Sequence, residues 1–242
     1  MKCIKCKTEN QRGVNFCVKC GTDLKEQIEF CGIDPEHYKD STDEDFEPMV
    51  YSIEGMLCND GLVDHINGHR FVDLGLSVKW SATNLGATAP QAFGSYYAWG
   101  ETKVKDSYKL SNSIAAGLEV DCIKGNKEYD AARLEWGGTW RMPTIEEIME
   151  LRRVCSWVRC VYKGVYGVKI TGPSGGRIFL PAAGYRLEES LRGAGDVAYY
   201  WTSTPEKDEG NGRAKMLHFD GNRHKIGKCN RLVGLVIRPV AE

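Results

Sequence analysis

Gly137-Gly138-Thr139-Trp140-Arg141-Met142-Pro143-Thr144, running into Ile145-Glu146-Glu147-Ile148-Met149-Glu150-Leu151, is the stretch on which the rest of the chain is organised. The paired glycines permit a sharp turn, and Trp136 and Trp140 supply a large anchor on either side of it. Thr144 is a good N-cap. With Glu147 three residues on, Thr-x-x-Glu forms a capping box that satisfies two orphan backbone donors. Ile145, Ile148, Met149 and Cys155 recur at helical spacing, so a helix starts after Thr144 with these residues on its apolar face. Glu146, Glu150, Arg152 and Arg153 fall largely outside that face, and Glu146, Glu147 and Glu150 read as solvated surface carboxylates. Locally the stretch reads as a helix nailed to a core at its first turn.

Outward from this hub the chain is long enough, at 242 residues, for one sizeable domain and a small one. A hydrophobic share of 42% and a charged share of 27% are ordinary for a globular protein. The net charge of −1 conceals an asymmetry. Residues 1–69 hold 7 Lys/Arg against 14 Asp/Glu, a net of −7, whereas residues 70–242 hold 25 against 19, a net of +6. Neither half has the strong basic excess of a nucleic-acid-binding domain. No apolar run reaches the eighteen or so residues of a membrane helix. Met1-Lys-Cys-Ile-Lys-Cys6 lacks the apolar core of a secretory signal, so the cytoplasm is the expected compartment.

Four of the ten cysteines form two Cys-x2-Cys pairs, Cys3/Cys6 and Cys17/Cys20. Each pair wraps two thiolates around a metal, and two such knuckles complete a tetrahedral S4 shell, the arrangement zinc prefers in structural sites. One zinc held by Cys3, Cys6, Cys17 and Cys20 is therefore expected. Because four thiolates leave no open coordination position, the metal is structural and supplies the folding energy of a segment too short to bury a core. A redox dithiol fits less well, since two pairs stand in so short a segment without a βαβ pattern. Residues 1–24 resemble the short zinc ribbons found at the ends of many prokaryotic proteins, down to Phe16-Cys17-x-x-Cys20-Gly21. The other cysteines (Cys31, Cys58, Cys122, Cys155, Cys160 and Cys229) read as free thiols.

Residues 25–68 read as an acidic linker. Between Glu26 and Asp64 stand twelve acidic residues and one lysine, densest at Asp43-Glu44-Asp45. Interspersed apolar residues such as Phe46, Met49 and Tyr51 leave two readings open: a solvated tether, or a segment partly docked on the larger domain.

From residue 69 to 242 the pattern is α+β, with short strands, one main helix and long glycine-rich loops. Two strand-like pieces flank Gly75 within His69–Trp80, and Phe93–Glu101 reads as an aromatic strand. Gly164–Ile170 and Arg177–Arg186 flank Thr171-Gly-Pro-Ser-Gly-Gly176 as a hairpin, Tyr199–Thr204 is a strand, and Ala214–Asp220 pairs with Arg223–Lys228.

Seven blocks carry a family resemblance: Phe71-Val-Asp-Leu-Gly-Leu76, Trp80-Ser-Ala-Thr-Asn-Leu-Gly-Ala87, Tyr97-Ala-Trp-Gly-Glu101, Trp136-Gly-Gly-Thr-Trp-Arg-Met-Pro-Thr144, Phe179-Leu-Pro-Ala-Ala-Gly-Tyr-Arg186, Tyr200-Trp-Thr-Ser-Thr204 and Ile237-Arg-Pro-Val240. In this order they resemble the Fibrobacter succinogenes major paralogous domain, a relative of C-type-lectin-like and formylglycine-generating-enzyme-like folds. The resemblance implies a C-type-lectin-like domain over 69–242 whose ligand face comes from the late part of the chain. Members are commonly exported, a habit that a zinc ribbon in place of a signal departs from. The cysteine pair of formylglycine-generating enzymes does not carry over, because 213–238 holds only Cys229. The tripeptides of calcium-dependent lectins are absent as well.

No Ser or Cys nucleophile stands in an evident pattern with a histidine base, and no phosphate loop occurs. From Gly210 to Arg238 there are seven Lys/Arg against one acid, Asp220. The candidate ligand-binding residues are therefore Arg213, Lys215, His218, Arg223, His224 and Lys225, bordered by Tyr199. His218 and His224 are placed to face each other across the hairpin. The competing reading of this stretch is a solvated sheet face protected by its lysines. The expected function is a non-catalytic recognition module for a protein or small ligand, with the zinc ribbon as adaptor. Its alternatives are an enzyme with an unrecognised site on the same scaffold, or a variable protein of a diversity-generating retroelement.

Overall fold

The structure is a computed structural model, and it describes Thr8, Glu9, Lys19 and residues 63–115, 118–207, 212–220 and 223–242. Cys3, Cys6, Cys17 and Cys20, and most of the acidic linker, lie outside the described residues.

The hub forms as its local chemistry dictates. Asp130 caps the short helix α1 (Ala131–Trp136) by accepting the Arg133 N–H, and the chain then turns through Gly137 and Gly138 at positive φ. Helix α2 (Ile145–Val154) opens on the capping box: the Thr144 hydroxyl accepts the Glu147 N–H, and Glu147 Oε2 accepts the Thr144 N–H at 2.8 Å. Its buried face is Ile145, Glu147, Ile148 and Leu151. Met149 instead stands 54% exposed, and Cys155 is the half-buried C-cap. Glu147 is thus no surface carboxylate.

Around this hub the described residues make twelve strands in four antiparallel sheets. The first has the order β1 (Val63–Ile66), β2 (His69–Val72), β3 (Lys79–Ser81) and β12 (Val240–Ala241), which brings Val240 and Ala241 back beside Lys79–Ser81. β4 (Ser156–Tyr162), β5 (Val165–Thr171) and β6 (Arg177–Pro181) form a meander, and β7 (Tyr185–Leu187) and β8 (Ser190–Arg192) form a hairpin. In the fourth sheet β10 (Arg213–Asp220) lies between β9 (Val197–Pro205) and β11 (Arg223–Asn230). β1 begins at Val63, so the first hairpin starts inside the stretch read as linker.

The expected α+β, C-type-lectin-like class is overturned. The molecule is mostly β, 41% strand and 11% helix, with one helix longer than six residues among those described. Helical periodicity is confined to α2, while Ser156-Trp-Val-Arg-Cys-Val-Tyr162 goes straight from the helix end into a strand. The Lys163-Gly164 turn, both residues at positive φ, folds that strand onto β5. Phe93–Glu101, conversely, is no strand. It makes a single bridge, Tyr97 to Leu235, because Gly94 and Gly100 sit at φ +79° and +76° and break the extended backbone.

The fourth sheet divides the interior. Its alternating side chains send Tyr199, Trp201, Met216 and Cys229 into one apolar cluster, with Trp99, Trp136 and Trp140. Ala198, Tyr200, Leu217 and Phe219 enter a second, with Trp80, Ile148 and Leu151. A sheet buried on both faces leaves only its edge strand and its loops to solvent.

Candidate binding surface at the open edge of the central sheet

This burial decides where the expected ligand residues fall. Arg213 is exposed at the start of β10, and Lys215 is tied to Glu206 at 2.6 Å. Two of the expected residues are internal. His218 is 1% exposed and Tyr199 0%, with their rings tilted against each other at 4.6 Å inside the first cluster. Neither is available to a ligand. Arg223 is exposed and lies 3.5 Å from Asp220. The strand register pairs His218 with Lys225 and Phe219 with His224, so the two histidines occupy opposite faces and do not meet. Arg231 and Arg238 are also internal. Arg231 stacks over Trp99 at 4.3 Å, and Arg238 donates to Asn84 Oδ1, the Ser81 carbonyl and the Phe179 carbonyl. Two of the seven Lys/Arg of the apparent basic surface, Arg231 and Arg238, are therefore core, held by neutral acceptors.

What the fold does assemble is a junction between α2, β4 and β11. The His224 ring stacks on Trp157 at 4.3 Å and 11°. Arg152, from the last turn of α2, donates from Nε to His224 Nδ1 at 3.2 Å and from Nη2 to the His224 carbonyl at 2.7 Å. Burial, and secondarily the Arg152 charge, hold His224 below the ordinary imidazole pKa, so it is neutral near pH 7. Because Nδ1 accepts from Arg152, the neutral ring carries its proton on Nε2. Burial also lowers the Arg152 pKa, and no carboxylate pairs with it among the described residues. Arg153 beside it is exposed. A planar cation, an aromatic pair and an N–H donor at one edge suit recognition of an anionic or polar group.

Sequence reasoning missed Arg152 and Trp157. By sequence Arg152 falls on the polar helix face without a partner, and the Trp-x-Arg-x-Val alternation of residues 157–161, which the sequence reading does not use, is the signal that could have found Trp157 on a strand.

The described thiols are not built for nucleophilic work. Burial pushes Cys155 up to about 11 and raises Cys160, while Cys122 is exposed and Cys229 buried. Among the described residues no three His, Cys, Asp or Glu side chains are grouped to hold a metal, and no helix is long and apolar enough to cross a membrane.

Comparison with protein-family models, with curated proteins and with solved structures finds no match to this chain.

Proposed function

We propose that the chain is a non-catalytic recognition module of the cytoplasm. In this reading a structural zinc on Cys3, Cys6, Cys17 and Cys20 forms an adaptor ribbon, and residues 69–242 are a member of the Fibrobacter succinogenes major paralogous domain that presents a ligand surface. The observation that supports recognition is the clasp of Arg152, His224 and Trp157. It holds a half-buried guanidinium, without a carboxylate partner among the described residues, at the open edge of an otherwise enclosed sheet. The donor set supports zinc, since four thiolates in two Cys-x2-Cys pairs match its tetrahedral preference. The surface is narrower than the sequence implied: Arg152, Arg153, Trp157 and His224, flanked by Arg223.

Affinity capture with the full chain tests this. Wild type, Trp157→Ala, Arg223→Ala and a distant control, Lys163→Ala, are compared for partner recovery from extracts of the producing cell. Recovery that falls for the first two variants and holds for the control supports the surface; equal recovery by all four removes it.

A further inference from the structure

The ladder between β10 and β11 fixes which backbone groups of β11 face outward. Its register is unbroken from Arg213 opposite Asn230 to Asp220 opposite Arg223. Along such a strand successive residues direct their N–H and C=O to opposite sides. The Arg231 N–H reaches the Gly212 carbonyl, whereas the Arg213 carbonyl accepts the Glu206 N–H on the β9 side. Arg223, Lys225, Gly227 and Cys229 therefore bond to β10, and the backbone groups of His224 and Ile226 point away from it. The Arg152 contact agrees from the other end, since the His224 carbonyl that Nη2 reaches at 2.7 Å is an outward one.

The two edges of this sheet differ. Beyond β9 the edge is closed by parallel bridges, Ala198 to Gly184 and Tyr200 to Val236. Beyond β11 no strand pairs among the described residues. At His224, Arg152 stands where the donor of a neighbouring strand would stand. One outward position along, about 7 Å away at two residues of rise, the Ile226 N–H and C=O make no hydrogen bond among the described residues. Ile226 is half-buried, so an unpaired donor and acceptor here cost free energy that another strand's amides would recover.

The chemistry of the edge selects its occupant. A donor and an acceptor side by side complement a peptide backbone, whereas a phosphate chain offers acceptors alone. Charge selects the kind of peptide. β11 carries Arg223, Lys225 and Lys228 and no acid, and Arg152 adds a guanidinium at the His224 end whose Nη1 makes no hydrogen bond among the described residues. A second copy pairing through the same edge would set this row of cations against itself, which is unfavourable. A strand bearing carboxylates meets both features, with its amides on Ile226 and a carboxylate on the planar cation.

We propose that β11 receives an extended acidic segment of a partner protein as an added strand, its backbone pairing with Ile226 and a carboxylate meeting Arg152. This rests on the recognition reading and names the chemistry of the partner.

The test follows amide hydrogen exchange of the full chain by nitrogen-15 NMR. In the free protein the Ile226 amide is expected to exchange readily, while those of Lys225 and Gly227, bonded to β10, are protected. The probe is an acetylated, amidated octapeptide of alternating glutamate and valine. At saturation it is expected to slow exchange at Ile226 roughly tenfold, the scale of one added hydrogen bond. Two further peptides separate strand pairing from charge, and neither is expected to bind. One alternates lysine and valine; the other is the glutamate peptide N-methylated at every residue, which keeps its carboxylates and loses its donors. Ile226→Pro removes the outward N–H and no ladder bond, at an edge position where proline is tolerated. Its affinity for the probe is expected to fall about fivefold below that of Ile226→Ala. Protected amides in β9 and β10 show that the proline variant is folded; if it is not, the N-methylated peptide decides on the wild type. Protection of Ile226 without peptide, no binding of the probe below about 1 mM, or equal binding of the N-methylated peptide would each overturn the proposal. The recognition reading is judged separately, by whether partner capture falls for Trp157→Ala.

Discussion

Arg141 holds Glu147 in a buried two-pronged ion pair, Nη2 to Oε1 at 2.6 Å and Nη1 to Oε2 at 2.9 Å. The same carboxylate caps α2 at Thr144, so one residue joins the turn, the helix start and the interior. Arg141 also reaches Glu242 at 3.3 Å and bridges Val240 through its backbone. The last residues of the chain are thereby fastened to its centre.

Replacing Arg141 by alanine leaves the Glu147 carboxylate enclosed without its counter-charge. Such a break costs about 3–5 kcal/mol, a large share of a domain's stability. Urea unfolding is expected to show a clearly lower midpoint, whereas Glu242→Ala, at the exposed end of the network, lowers it by about 1 kcal/mol or less. Similar midpoints for the two variants would refute the central role of the pair.

Acidification weakens the molecule through His224 and His69. Burial lowers both pKa values, and Arg152 lowers that of His224 further. The unfolded chain therefore takes up protons near pH 6.5 while the folded chain resists them, so stability falls as pH drops through that value. Unfolding at pH 7.5 and 5.5 should show the loss, and His224→Ala should lessen the slope. A slope unchanged by that substitution would exclude His224 as a contributor.

Alkali acts through phenols. Burial raises Tyr96, Tyr97, Tyr108 and Tyr200, the last to about 12. Unfolded tyrosines release protons near pH 10 and the folded ones later, so their contribution is complete below about pH 10 and is lost on rising toward the folded values. Arg238, Arg152 and Arg231, lowered by burial, act in the opposite direction, three groups against four phenols. The net expectation is a falling unfolding midpoint between pH 9 and pH 11 (about one unit either side of the phenol's ordinary value); a constant midpoint would contradict it.

Metal analysis of freshly purified chain should find about one zinc, lost in Cys17→Ala. On the proposal that zinc alone supplies the folding energy of residues 1–24, chelation is expected to leave the unfolding of 63–242 unchanged within about 1 kcal/mol. A metal-free preparation that keeps four reactive thiols in the first 24 residues would remove the zinc proposal.

Local chemistry was legible in the sequence by itself. The Thr144–Glu147 capping box, the turn at 171–176, the pairing of β10 with β11 and the two Cys-x2-Cys pairs depend on neighbours within a few residues, and the first three stand in the structure as read. What only the tertiary structure decided was which side of each element meets water. Alternation along β10 separates its residues into two faces but carries no sign for burial. β9 lies beside β10, and apolar clusters cover the sheet from both sides, so His218 and Tyr199 became core. Glu147 was enclosed by the Arg141 side chain, and Arg152 found His224 seventy-two positions along the chain. Such pairings form because enclosing polar groups is tolerable only where their partners are enclosed with them, and those partners are brought together by the packing of the whole domain.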